Sequence, residues 1–329
     1  MERSKLTLDK YAMEARSEWD GLVAVSRCSS FLFERAYMDY HQSRFEDVSL
    51  LFRNAKGHLR GILPANLRRA ERMVESHGGL TYGGLVLHPE ATALEVGEML
   101  AQAAVFYATE CGAERWVYKP LPYIYHAYPA DDALYWLFRQ GAKLTSRAIS
   151  SAILLDTPLP FSTLRGRKLQ KASKSGIEVR EHEPQALDEF WKILSEVLQT
   201  RHDTAPVHTI TEMAYLMDAF PTRIRLATAR ATDGSLLAGS VIYINAPHVA
   251  HAQYIAANVQ GRETGALDLL FHCLLGEYAG RCRYFDFGIS TEQGGRMLND
   301  GLLFQKEGLG GRAICYDTYE LTIGRKNEI

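Results

Sequence analysis

The chain has 329 residues, about two domains at the usual 100–200 residues each. Hydrophobic residues make up 47%, charged residues 23% and aromatic residues 10%, ordinary globular values that exclude a disordered, collagen-like or disulfide-scaffold protein. Lys+Arg of 37 against Asp+Glu of 39 leave a net charge of −2, which argues against a generally basic nucleic-acid coat but allows a local basic patch. The N-terminal stretch MERSKLTLDKYAME is charged and lacks the apolar core of a secretory signal. No apolar run reaches the ~18 residues of a membrane span. The cysteines (28, 111, 273, 282 and 315) are odd in number, widely spaced and without CxxC, a pattern of reduced thiols in a cytoplasmic protein.

In chain order, a helix is expected over Phe31–Tyr40, then strands at Val48–Arg53 and His58–Asn66 on either side of Lys56-Gly57. A strand at Leu80–Leu87 leads to a helix over Leu94–Thr109 that ends near Gly112. Strand Trp116–Lys119, helix Asp131–Phe138 and strand Ser146–Leu155 complete the first half. Residues 156–176 form a junction, with two prolines followed by Arg165, Arg167, Lys168, Lys171 and Lys174 and no acid after them. Arg167, Lys171 and Lys174 share one face if the segment is helical. That face is either a solvated linker or a basic wall beside an anionic ligand. The domain boundary falls here, between 1–160 and 161–329.

The second half starts with a short strand at Ile177–Arg180. Pro184–Gln199 is amphipathic, with Leu187, Phe190, Trp191, Leu194 and Leu198 on one face, and reads as a helix. Thr211–Phe220 is also helical. Strands follow at Ile224–Arg230, Leu236–Ile244 and His248–Ala256, the first two joined by Asp233-Gly234, a hairpin signal. The loop Asn258–Gly265 precedes a helix from Ala266 to about Tyr278, with Gly280 as its C-cap. Strand Arg283–Ile289, a helix near Arg296–Phe304 and a strand pair within Ala313–Ile323 close the chain. Both halves run strand, helix, strand in the same order, which reads as a repeat of architecture: an α/β (α+β) fold in two units, each a mostly antiparallel sheet flanked by helices.

The halves differ in one loop. In the C-terminal half Gly261 and Gly265 can turn backbone N–H groups outward. Arg262 adds a fork of donors and the helix opening at Ala266 adds its positive end, a combination suited to phosphate. The matching N-terminal loop, Leu87–Ala93, has no glycine and carries Glu90, with Glu95 just beyond. If one half binds a phosphorylated donor, it is the C-terminal one.

The loop Arg262-Glu-Thr-Gly265-Ala266 resembles a degenerate pyrophosphate loop of the GNAT acyltransferases, with alanine after the glycine and leucine where the last glycine is expected. The stretch from Leu164 to Val179 resembles the opening of the second GNAT half of Fem-type peptidyltransferases. Tyr284-Phe-Asp-Phe-Gly-Ile289 resembles their YDFGG-like strand, and Phe304-Gln-Lys306-Glu-Gly-Leu-Gly310-Gly311 their FKxxFGG segment with a glutamine inserted. Together the segments imply a tandem-GNAT protein across nearly the whole chain, similar to Fem-like enzymes and to bacterial acetyltransferase-like relatives associated with polysaccharide biosynthesis. The resemblance implies an acyl donor, acetyl-CoA or another acyl-CoA, bound by Gly261, Arg262, Gly265 and Ala266. The acyl group lies where the strand before the phosphate loop splays from the next. It also implies a base for the acceptor and a proton donor for the leaving thiolate.

Candidates for those two roles are His251, Tyr254, Asp286, Glu292 and Tyr316. The first four have plainer readings: His251 as a core histidine, Tyr254 as a half-buried strand aromatic, Asp286 as a structural anchor, Glu292 as an acid drawn to a helix N-terminus. Lys306 falls where the family's lysine contacts substrate, or else pairs with Glu307 at the surface. In the first half, the acceptor side with a degenerate donor site, Tyr82 and neighbouring tyrosines suit stacking on a sugar or nucleobase, Lys119 suits a phosphate, and His126 closes the same segment. Arg167 completes the substrate-binding candidates. The expected acceptor is a small molecule or a nucleotide-linked sugar, in a cleft between the halves. Transfer from aminoacyl-tRNA and a non-catalytic ligand-binding module are the alternatives. His202, His208, His248 and His251 lack a third metal ligand, so no metal is expected.

Overall fold

The computed structural model describes residues 6–324, without the side chains of 201–202. The first five residues of the N-terminal reading and the imidazole of His202 therefore lie outside the described residues. The elements run β1 (Thr7–Lys10), α1 (Arg16–Val25), α2 (Arg35–Asp39), β2 (Glu46–Asp47), β3 (Leu50–Arg53), β4 (Leu59–Leu63), β5 (Asn66–Arg68), β6 (Met73–Glu75), β7 (Val86–Leu87), α3 (Ala93–Thr109), β8 (Arg115–Tyr118), α4 (Asp132–Arg139) and β9 (Lys143–Leu154). They continue α5 (Thr163–Lys174), β10 (Glu178–Arg180), α6 (Leu187–His202), α7 (Ile210–Ala219), β11 (Ile224–Arg230), β12 (Leu236–Ala246), β13 (Val249–Ala257), α8 (Val259–Thr264), α9 (Ala266–Tyr278), β14 (Tyr284–Ile289), β15 (Thr291–Glu292), β16 (Met297–Leu298), α10 (Asp300–Gly308) and β17 (Arg312–Thr322).

The chain forms two compact units. The first holds residues 1–148, 292–297 and 315–329, and the second 149–291 and 298–314. The expected boundary at 160/161 falls between β9 and α5, inside the second unit, and the chain from Cys315 onward clusters with the first.

In the first unit a four-stranded sheet has the order β1-β3-β4-β7, and a second sheet runs β2-β5-β6-β8-β17. Only β6 and β8 are parallel in that second sheet, Met73 to Glu75 aligning with Arg115 to Val117, while β2–β5, β5–β6 and β8–β17 are antiparallel. Helix α3 starts at a capping box, Thr92 accepting from the Glu95 amide and Glu95 from the Thr92 amide.

In the second unit the order is β10-β11-β12-β13-β14-β9, and β13–β14 is again the parallel pair. β11, β12 and β13 are buried nearly along their length, as strands covered on both faces are. One face receives Leu270, Phe271 and Leu274 of α9, which join Ala250, Ala252, Phe285 and Phe287 in the core. The other receives α6: Phe190 is fully enclosed, and a Cβ on Gly239 would come within 2.6 Å of its ring. Both units thus share one architecture of mostly antiparallel mixed sheets with flanking helices.

The elements that differ from the sequence reading include these four. Phe31–Tyr40 is a 3₁₀ turn followed by the short α2, broken at Glu34, whose backbone is extended at φ −63°, ψ 136°. Of Leu80–Leu87 only Val86–Leu87 is strand. The two adjacent glycine pairs there, Gly78-Gly79 and Gly83-Gly84, lie tight against other chain, so the segment is turns. The loop Asn258–Gly265 contains a helical turn, α8, because the Asn258 side chain accepts from the Gly261 amide as a cap. The closing strand pair is one long strand, β17. Among the described residues no helix is long and apolar enough to cross a membrane, and no group of three or more metal-ligating side chains comes together.

Candidate functional site

Strands β13 and β14 align as Val249–Tyr284, Ala250–Phe285 and His251–Asp286, and their pairing stops there although β13 runs on to Ala257. Beyond that point Tyr254 faces Val241 of β12 while Ala252 faces the next residue, Ile242, so Gln253 is an extra residue in a bulge. Past His251, among the described residues, β13 is not paired on its β14 side. An extended acyl chain can pair with such an edge.

At the apex of this splay Asp286 is fully enclosed. Its Oδ2 lies 3.0 Å from His251 Nδ1. Its Oδ1 accepts from Ser150 Oγ at 2.6 Å and from the Gly288 amide at 3.0 Å. Gly288 has φ +76°, a left-handed conformation that suits glycine. It occupies a second bulge, where Asp286 faces Ala152 and Ile289 faces Ser150 on β9. A carboxylate only accepts, so His251 Nδ1 carries the hydrogen shared with Asp286, and Nε2 is the ring nitrogen turned away from that acid. A histidine held by a buried carboxylate is an arrangement that can take up a proton from a neighbouring group.

Lys306 of α10 is buried in the same neighbourhood. Its Nζ donates to the carbonyls of Gly288 and Ile289 at 2.8 and 2.7 Å. Burial lowers its pKa from the usual lysine value to about 8, partly opposed by Asp286. These bonds hold the turn after β14, and neither the surface pairing with Glu307 nor an outward-pointing lysine describes it. Tyr254 is on the same face of β13 as His251. Its hydroxyl meets His208 Nδ1 at 2.7 Å and its ring meets Trp191 edge-on at 5.3 Å. Burial raises its pKa above the ordinary tyrosine value.

The glycines of the expected phosphate loop have packing roles. A Cβ on Gly261 would collide with the Leu237 carbonyl, and one on Gly265, at φ +82°, would come within 2.7 Å of the Lys168 carbonyl. Helix α5 thus lies directly over the start of α9. There Arg165 pairs with Asp268 at 3.2 Å, and Lys171 Nζ donates to the Glu263 carbonyl at 2.9 Å. Arg262 donates to the Ala257 carbonyl at 2.8 Å, and Ala266 is fully buried. Arg167 is exposed on α5.

The remaining candidates belong to the first unit. Glu292 is exposed on β15. Tyr316 Oη is 3.1 Å from Tyr125 Oη. Tyr82, at 1% exposure, is enclosed by the rings of Tyr125 and Tyr316 at 5.0 and 5.9 Å, so aromatic packing describes it and no ring face is left for a sugar. His126 Nε2 lies 3.0 Å from the Leu121 carbonyl. The Lys119 amide donates to Ser76 Oγ at 2.7 Å. Sequence reasoning missed Ser150 and weighed His208 only as a metal ligand, not as the partner of Tyr254. Ser150 is 136 residues from Asp286, and nothing local marks a strand serine as an acid's partner.

Paired parallel strands that part at a buried His–Asp couple, in a unit whose architecture occurs twice, define a tandem GNAT-fold protein. Residues 163–293 match the family described as an acetyltransferase (GNAT) domain, and the chain as a whole has a tandem GNAT-like fold similar to that of Fem-like and tandem GNAT structures. It is similar in structure to FemX, with a TM-score of 0.69 at 12% identity over 96% of this chain and 98% of that one. L-PGS from Bacillus licheniformis gives 0.60 at 11% identity over 95% and 93%. A tandem GNAT protein from the clavulanic acid biosynthesis pathway gives 0.50 at 13% over 98% and 100%. At these identities the likeness is one of fold. No curated protein matches in sequence.

Proposed function

We propose that the protein transfers an acyl group from acyl-CoA to an amine or hydroxyl, with His251 as the general base and Asp286 as the group that orients it. The observation that carries this reading is the His251–Asp286 couple at the point where β13 and β14 part. The acceptor amine or hydroxyl gives its proton to His251 Nε2 as its nitrogen or oxygen attacks the acyl carbon. The imidazolium so formed is stabilised by Asp286. The C–S bond then breaks and the thiolate takes a proton, for which the Tyr254 hydroxyl, on the same face of β13, is the candidate donor. Residues of 161–329 serve the donor. Residues of 1–160 serve the acceptor, an amino sugar or a nucleotide-linked sugar, with Lys119 as its phosphate contact.

The cover of α5 over the start of α9 favours a second reading of the donor. The Fem-like alternative, an aminoacyl-tRNA ester, needs no pyrophosphate at that helix end and would use the exposed Arg167 and Lys174. Thermal-shift titration separates the two. Acetyl-CoA at 100 times its dissociation constant stabilises the chain by about 2.7 kcal/mol if it is the donor. Stabilisation by acylated tRNA alone, lost as salt rises, assigns the second donor instead. Response to neither removes the acyltransferase reading.

A further inference from the structure

In the first unit the parallel pair β6–β8 ends at Glu75 and Val117. Just past those ends lie His77 on one strand and Lys119 on the other. Ligands of open α/β sheets gather in the crevice beyond the carboxyl ends of parallel strands. The two segments are tied there by Ser76 N to Val117 O at 2.9 Å, by Lys119 N to Ser76 Oγ at 2.7 Å and by Gly83 N to Lys119 O at 2.8 Å.

His77 breaks two rules at this point. Its φ is +59°, a conformation that non-glycine residues rarely adopt, although two glycines follow it and could have taken it. The conformation is imposed from outside: Asn66 Oδ1 accepts from the Gly78 amide at 2.6 Å, and His41 Nε2 meets the Gly79 carbonyl at 3.2 Å. The ring is 3% exposed and sits between Phe45 and His41, at 5.2 and 5.7 Å. Its Nδ1 is sealed from solvent without a hydrogen-bond partner.

Burial pushes the imidazole down to about 3, so it is neutral at physiological pH. A sealed N–H without an acceptor is rarer than a sealed lone pair. The proton therefore sits on Nε2, and His77 is a held N–H donor. Lys119, placed beside His77 by the ties between the two strand ends, supplies charge, and among the described residues no carboxylate is within salt-bridge reach of it. The two nearby acids are already neutralised, Asp47 by Arg35 at 2.6 Å and Glu75 by Arg68 at 3.3 Å.

We propose that His77 Nε2 and the Lys119 ammonium form an oxyanion-binding subsite that takes a phosphate or carboxylate group of the acceptor. It rests on the reading of the first half as the acceptor side. Imidazole ¹H–¹⁵N correlation on the full chain tests it, with inorganic pyrophosphate in one titration and succinate in another. A saturable shift of His77 Nε2 is expected, with pyrophosphate alone meaning a phosphate acceptor and succinate alone a carboxylate one. Lys119→Met then weakens that ligand roughly tenfold, as loss of a charged hydrogen-bond partner does. His77→Asn, which tolerates the same backbone conformation, removes the ligand's thermal stabilisation. No shift of His77 at millimolar concentrations of either anion overturns the proposal, as does binding that Lys119→Met leaves unchanged. Because neither readout uses an acyl donor, a subsite that binds while no donor stabilises the chain leaves this proposal standing and removes only the acyltransferase one.

Discussion

Asp286 is fully enclosed, and an enclosed carboxylate persists only where its oxygens meet donors. His251, Ser150 and Gly288 supply them. Asp286→Ala strands the His251 N–H and the Ser150 hydroxyl, and urea denaturation should show a loss of about 1–3 kcal/mol for each. His251→Gln keeps a donor toward Asp286 but removes the base. The rate of acyl transfer, followed by release of the donor's leaving group, falls by about 10²-fold or more while the melting temperature changes little. His77 predicts a pH effect of its own. Buried and neutral in the fold with a pKa of about 3, it titrates near 6.5 once unfolded. The unfolded state then binds the extra proton, so stability is intact above pH 6.5 and falls as the pH drops toward 3, by roughly 2 kcal/mol at pH 5. Burial pushes His41 down as well, which acts in the same direction. Denaturant melts at pH 7 and pH 5 should differ by less in His77→Asn than in the native chain. His77 was not legible in the sequence. Its unusual φ comes from Asn66 and His41, and no local pattern announces that.

The segment from Asn258 to Ala266 shows how glycines that suit a ligand loop can also be demanded by packing. Its glycines stand out in the sequence, and a glycine-bearing turn before a helix suits phosphate. Folded, Gly261 makes room for the Leu237 carbonyl and Gly265 for the Lys168 carbonyl. The residues that demand glycine belong to β12 and α5, and the sequence of the loop does not contain them. Gly265→Ala adds a Cβ against α5 at a positive φ and should cost at least about 1–2 kcal/mol. Asn258→Ala removes the α8 cap and should cost about 1 kcal/mol. Both are measurable as losses in thermal melts without ligand. Helix α9 and strands β11–β13 were legible because their apolar periodicity and the Asp233-Gly234 turn are local signals. The Leu80–Leu87 strand was not, because its apolar residues are buried in turns.

The two units are not cut where the chain looks cut. β8 pairs with β17 through Tyr118–Tyr319 and Trp116–Leu321, so residues 1–160 lack a strand of the first unit. Ser150, a partner of Asp286, lies on β9, so residues 161–329 lack a strand of the second. Fragments 1–160 and 161–329, expressed separately, should each lose the cooperative melt of the full chain in circular dichroism. Cooperative unfolding of either one alone would contradict this. Helix periodicity, hairpin turns and the basic junction are written in neighbouring residues, and they were enough to indicate two similar α/β units and the family they resemble. Strand pairings between residues far apart in the chain, the cover of α5 over α9 and the couple of His251 with Asp286 depend on which surfaces meet once the apolar faces are buried. That is a property of the packed chain as a whole, and no window of sequence contains it.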